Sequence, residues 1–348
     1  MNRWSLSDHI TNHFGKPRLG DIRPPALWPS EASAVVISPI GEPATTGACR
    51  RSTYFRYILA NYSYDPIKNS HYKDLADNLN QNKEPTDRYM QWIWAAGNLF
   101  EDFVVEQAKQ SGVFIEGQTQ VVVPEINLVG KLDLVVIDPD DDKLNGVEIK
   151  SVYGHQAKDV LGSATTKKFG KLGKPRDSNL MQAALYEWHL KKTIPGFKMR
   201  LFYGARDTGV FSEYTIETKL ENEEHNIYYR GVAPIFTSAI KSPITIENIV
   251  AQYKYVQSHY ENSIIPPRDY EIIYSKDYIK KLNEAGELSK TNKEAFEKIE
   301  GRKQENEELV SKGHKPKKEL KELELGDWRC TNCSWRNTCY DKDKRPIL

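Results

Sequence analysis

Asp133, Glu148 and Lys150 are the residues of this chain whose types and spacing most directly imply chemistry. Asp133 interrupts an otherwise apolar run, LVGKLDLVVI, where a bare carboxylate is costly to bury without a partner. Beyond the turn PDDDKLNG, Glu148 and Lys150 lie two positions apart, so a strand projects both to one face while Val147 and Ile149 face the other way. A hairpin between these runs sets Asp133 beside Glu148. Two close carboxylates repel when ionised, and a divalent cation is the usual way to hold both charged; oxygen donors suit Mg²⁺ or Mn²⁺. Lys150 beside such an ion can position and help deprotonate a water, or stabilise charge developing on phosphate oxygens. Together these are parts for metal-assisted phosphodiester hydrolysis. Taken alone, the triad also reads as a structural salt bridge in a half-buried hairpin.

The four cysteines carry a second chemistry. Cys330, Cys333 and Cys339 stand close together and Cys49 is distant, the arithmetic of one four-thiolate centre joining two far parts of the chain. Zinc and an iron–sulfur cluster both fit that spacing. The first residues contain no apolar core of a signal peptide and no run approaches bilayer length, so an intracellular, cytoplasmic protein without membrane contact is expected. In that reducing setting, metal ligands are favoured over disulfides.

Several elements must position these groups. Helical patterning starts near Cys49 in CRRSTYFRYILANY, and a stronger helix from about Thr86 puts Met90, Ile93, Trp94, Gly97, Phe100 and Val104 on one face. Gly97, one turn before Glu101, is expected to let that helix approach the sheet and present a third carboxylate. Three strand-like runs follow, from Val113, Asn127 and Gly146, and then a helix from Asp177 or Ser178 and a strand from Phe197. On that second helix Gln182 and Tyr186 share a face four residues apart. VFSEYTIE reads as a further strand, Leu220–Glu261 as two helices interrupted near Pro243, and Ser275–Leu325, dense in Lys and Glu, as a solvated helical hairpin. The first 46 residues read as an irregular arm.

In that order the chain resembles the PD-(D/E)XK nuclease superfamily, specifically RecB-like exonucleases with an iron–sulfur cluster. The residues that carry the likeness are Gly97 and Glu101 in GNLFE, Gly130 and Asp133 in GKLD, Glu148 and Lys150 in EIK, Gln182 and Tyr186 in QAALY, and all four cysteines. One cysteine before the core and three after it is similar to CRISPR adaptation nucleases, the AddB nuclease domain and related phage-encoded exonucleases. Many members have histidine where this chain has Glu101; glutamate remains a competent oxygen ligand.

The resemblance implies an α/β fold of the α+β kind: an αβββαβ nuclease core with a helical iron–sulfur lobe formed by both chain ends. The corresponding division is an arm over 1–46, a helical segment over 47–85, the core over 86–218, a helical region over 219–325 and a cysteine segment over 326–348. Asp133, Glu148 and the carbonyl of Ile149 would bind the catalytic metal, with Glu101 as a direct or water-mediated ligand. Lys150 would act on the water, Gln182 would steady the metal–water network and Tyr186 would orient the strand or that network. Cys49, Cys330, Cys333 and Cys339 would hold a 4Fe-4S cluster, with Trp328, Trp335 and Tyr340 shielding it.

The resemblance also gives the basic segment KKFGKLGKPR a role. Net charge is only +1, from 49 basic and 48 acidic residues, so a DNA partner must be met locally. Lys167, Lys168, Lys171, Lys174 and Arg176 would grip the backbone of single-stranded DNA or duplex ends. The implied activity is a metal-dependent DNA exonuclease in recombination, repair, phage replication or CRISPR adaptation, with a second copy or a recombination or adaptation protein as partner. Two other readings stand beside it: a non-catalytic DNA-binding subunit of such a complex, and a sequence-specific endonuclease.

Overall fold

The computed structural model describes residues 25–84, 88–162, 173–233 and 236–347. Its first elements are strands β1 (Ser33–Ile37) and β2 (Pro43–Gly47), then helices α1 (Arg50–Tyr64), α2 (Lys73–Asn82) and α3 (Arg88–Gln110). Strands β3 (Phe114–Val123), β4 (Leu128–Ile137) and β5 (Leu144–Val152) follow. A short helix α4 (His155–Leu161) and a longer α5 (Asp177–Leu190) lead to β6 (Lys198–Ala205), β7 (Phe211–Glu221), β8 (Glu224–Ala233) and β9 (Ile240–Thr245). Helices α6 (Ile246–Glu261), α7 (Lys276–Glu284), α8 (Lys290–Ser311), α9 (Trp328–Thr331) and α10 (Arg336–Cys339) complete the described chain.

Strands β3 to β9 form one mixed sheet in sequence order. All its pairs are antiparallel except β5–β6, and that parallel step needs the crossover that α4 and α5 supply. On one face Phe100, Val104 and Ala108 of α3 pack against Leu134, Val147, Ile149 and Phe202. On the other, Leu180, Met181 and Leu185 of α5 join Tyr54, Phe55 and Ile58 of α1 and Ile249 and Tyr253 of α6 in the main core. The order helix, three strands, helix, strand is therefore present, within a mixed α/β sheet larger than expected. No helix among the described residues is long and apolar enough to cross a membrane.

Four expectations need correction. Residues 33–47 are a β-hairpin rather than an irregular arm, with Ser33 opposite Gly47. Leu220–Glu261 is not two helices: it holds the end of β7, then β8, β9 and α6. In HNIYYRG the buried positions Ile227, Tyr229 and Gly231 alternate, which is strand patterning. Pro243 sits in β9, which pairs only with β8, and an edge strand tolerates proline. A proline read as a helix break was in fact a strand-edge residue.

The third correction concerns α3. Trp94 is 56% exposed instead of facing the sheet, and a Cβ built on Gly97 would meet nothing. Close approach comes from the opposite side, because a Cβ on Gly204 of β6 would collide with the ring of Phe100. The fourth concerns the Lys/Glu-rich stretch: α7 and α8 are helical as expected, and α8 buries no residue, but 312–327 runs back without helix. Asn306 Oδ1 accepts from Lys317 N at 2.8 Å, and Leu325 O accepts from Tyr274 N at 2.7 Å.

Candidate active site

The β4–β5 ladder ends with Leu134 opposite Val147, and Asp133 and Glu148 are the residues next beyond that end. The β3–β4 ladder lacks a pair at the same place, with its register unshifted. Gly117 faces Leu134 and Thr119 faces Leu132, leaving Gln118 and Asp133 between them. Burial changes hand there as well: Leu132 joins the core under α5, whereas Leu134 joins the cluster under α3. A regular strand would send both residues to one face. The chain thus turns at Asp133, and its Oδ2 accepts the N–H of Ile149 at 2.8 Å.

Glu148 is 1% exposed. Its Oε1 accepts from Gln182 Nε2 at 2.7 Å and from the Lys150 ammonium, while its Oε2 is buried with no hydrogen-bond partner among the described residues. Burial, aided by Asp133 and Glu101 and opposed by Lys150, raises the Glu148 pKa to about 8. Burial also raises Asp133, against the pull of Lys150 and the Ile149 N–H. At Lys150 burial works against the ammonium, but Glu148, Asp133 and Glu101 outweigh it and the pKa rises. Lys150 is therefore held as a cation, which favours its role in stabilising charge over a role as base.

Glu101 faces this group from α3. Burial and the Asp133 charge raise its pKa, and it accepts a hydrogen bond from Gln118 Nε2. Sequence reasoning missed Gln118, because only the β3–β4 register and the backbone turn reveal where it points. Tyr186 is fully buried, and its hydroxyl donates to Lys131 O of β4 at 3.0 Å. Burial, with Glu148 nearby, pushes its pKa up, so it remains a neutral donor that fastens β4 beside Asp133.

That contact explains the glycine of GKLD. A Cβ on Gly130 would lie 2.5 Å from Tyr186 Oη and 2.6 Å from Pro29 Cγ. Overpacking of this kind costs about 1–3 kcal/mol. Gly130→Ala is accordingly expected to lower the denaturant midpoint, and Tyr186→Phe in the same chain to recover part of the loss by removing the nearest oxygen. Unchanged stability of the single variant would overturn that account.

The carboxylates fit a divalent cation by their chemistry: oxygen donors, charges that repel one another, and an orphaned buried oxygen on Glu148. In the present arrangement Lys150 and Gln182 both take Glu148 Oε1 and Gln118 takes Glu101. Among the described residues no three His, Cys, Asp or Glu side chains converge as a complete ligand set. Of the basic segment, Lys167, Lys168 and Lys171 lie outside the described residues. Lys174 pairs with Asp177 at 3.4 Å, and the half-buried Arg176 donates its N–H to Tyr203 Oη at 3.3 Å.

The cysteines meet at the other end of the main core. Cys49 immediately precedes α1, Cys330 lies in α9, Cys333 follows α9 and Cys339 ends α10; all four are free thiols lining one cavity. Burial, reinforced by neighbouring acids and thiols, raises Cys49 to about 11 and Cys330 to about 12. Burial keeps these two as neutral thiols, and among the described residues no three cysteines converge as a metal-ligand set. Arg51 Nη1 reaches Cys339 Sγ at 4.0 Å. Trp335 and Tyr340 are buried beside the cavity, but Trp328 is 66% exposed and does not shield it.

No protein-family model matches the chain, and no curated protein matches it. A solved structure described as the crystal structure of SSO0001 aligns with 73% of this chain and 83% of its own, at 13% sequence identity and a TM-score of 0.29. A likeness at that level supports no argument.

Proposed function

We propose that this protein is a metal-dependent DNA exonuclease, hydrolysing phosphodiester bonds in single strands or at duplex ends. One observation carries the reading: a fully buried Glu148 whose Oε2 has no partner, beside Asp133 and a Lys150 kept cationic. A buried carboxylate oxygen without a partner among the described residues is costly, and a cation is one group that would satisfy it.

Asp133, Glu148 and the Ile149 carbonyl would hold Mg²⁺ or Mn²⁺, with Glu101 at its margin. When bound, the ion supplies Lewis acidity and a water of lowered pKa. Gln182 fixes Glu148 by its 2.7 Å hydrogen bond, so the free Oε2 is the oxygen left to face a cation. Lys150 would stabilise the negative charge that grows on the phosphate oxygens as water adds to phosphorus and the sugar oxygen leaves with a proton. The four cysteines would hold a 4Fe-4S cluster that clamps the C-terminal segment to α1. Lys174 and Arg176, with the lysines before them, would follow the DNA backbone.

The test is anaerobic purification with iron and labile-sulfide analysis, followed by digestion of end-labelled DNA with Mg²⁺ or Mn²⁺. Asp133→Ala and Lys150→Ala are expected to abolish cleavage while circular dichroism and cluster content stay unchanged. Full activity in either variant sinks the assignment. A zinc-loaded, folded protein that binds DNA but cuts none would favour the non-catalytic binding subunit.

A further inference from the structure

Gln118 is exposed, yet its backbone adopts φ +55° in the middle of a strand, a region that side chains other than glycine seldom enter. Such a conformation persists only where its surroundings hold it, and it gathers at functional sites. Here the register sets it across from Asp133, at the point where β4 changes the face it buries. The turn sends the Gln118 amide across to α3, where Nε2 donates to the Glu101 carboxylate. The turn thus holds Glu101 within reach of the Asp133 charge, which acts on it.

We propose that Gln118 is a positioning residue, whose amide, aimed by this left-handed turn, holds the Glu101 carboxylate at the rim of the Asp133–Glu148 cation site. The inference rests on the nuclease reading for the identity of the cation, and it names what orients the one acidic residue supplied by α3. A neutral donor suits this role because it restrains the carboxylate and leaves its charge intact, whereas a lysine would cancel that charge. Loss of the amide should free Glu101 to swing toward solvent.

The test measures Mn²⁺ binding directly, by calorimetry on the whole protein, in the native chain, Gln118→Gly, Glu101→Gln and the double variant. Glycine accepts φ +55° without strain, so Gln118→Gly is expected to melt no lower than the native chain while Mn²⁺ affinity falls about tenfold, the usual effect of removing an outer partner of a metal ligand. Gln118→Asn, which also tolerates the left-handed region but is one methylene shorter, should show the same loss. In the Glu101→Gln background, Gln118→Gly should weaken binding no further. Native affinity in Gln118→Gly, a lowered melting temperature, or an equal additional loss in the Glu101→Gln background overturns the inference. A native chain that binds no Mn²⁺ overturns it together with the nuclease reading. One that binds Mn²⁺ but cuts no DNA removes the nuclease reading alone.

Discussion

Above pH 8 and without metal, Glu148→Gln is expected to melt higher than the native chain, whereas with saturating Mn²⁺ its DNA hydrolysis should fall by about 10³-fold or more. Both halves come from the same carboxyl group. Its folded pKa is about 8 against an ordinary value of 4.5, so the folded protein keeps a proton that the unfolded chain releases. The stability tied to that proton is complete below pH 4.5 and is lost as pH rises through about 8, at no more than about 1.4 kcal/mol per pH unit. Glutamine has no such proton to lose. The two melting curves should therefore coincide in acid, separate through neutral pH and stay apart above pH 8.

Cation binding reverses the balance, because it requires the ionised carboxylate that burial disfavours. In the native chain Mn²⁺ should raise the melting temperature and release protons below pH 8; in Glu148→Gln it should do neither. The loss of rate corresponds to several kcal/mol of Lewis-acid stabilisation. Retained cleavage, or a lower melting temperature for the metal-free variant at pH 8 to 9, would contradict this account.

How far the site was legible in the sequence depended on whether local pattern or long-range register set each position. Glu148 and Lys150 were legible because strand period alone puts them on one face, and Gln182 and Tyr186 because helix period does. The nearness of Asp133 to Glu148 needed only a short hairpin. Gln118 was hidden, since a backbone turn of φ +55° leaves no mark in QTQ. Gly97 misled for a related reason: a glycine is visible in sequence, but whether anything approaches it is not, and the close contact lay at Gly204 instead. The misreading of Leu220–Glu261 arose because tyrosines and isoleucines at mixed spacing suit either element, and Pro243 tipped the choice toward a broken helix. Only its place in β9, paired on one side, reconciles that proline with a strand.

The proposed cluster sets up the other large expectation: Cys333→Ser should lose it and release the C-terminal segment while leaving the sheet folded. A cross-link closing the chain between Cys49 and Cys330 would remove about 5.6 kcal/mol of unfolded-state entropy by the loop-closure relation. Packing also holds 326–347: Tyr340 is buried, its hydroxyl accepting from Ile272 N at 3.2 Å and donating to Glu271 Oε2 at 3.0 Å, and Asp327 N donates to Glu271 O at 2.8 Å. Trp335 meets Phe55 edge-on at 6.1 Å, Ser334 O accepts from Glu84 N at 2.9 Å, and Arg336 pairs with Glu84 at 2.5 Å. Phe55 belongs to the main core through α1, whose Tyr54 and Ile58 are fully buried. The damage should accordingly begin at the docked segment: limited proteolysis is expected to cut within 326–347 first, with far-ultraviolet circular dichroism little changed. Asp133, Glu148 and Lys150 stand on β4 and β5, away from that segment, so early in the digestion the clipped protein should still bind Mn²⁺. Resistance to protease and an unchanged melting temperature in Cys333→Ser would mean that packing alone holds the segment and that no metal ties it to Cys49.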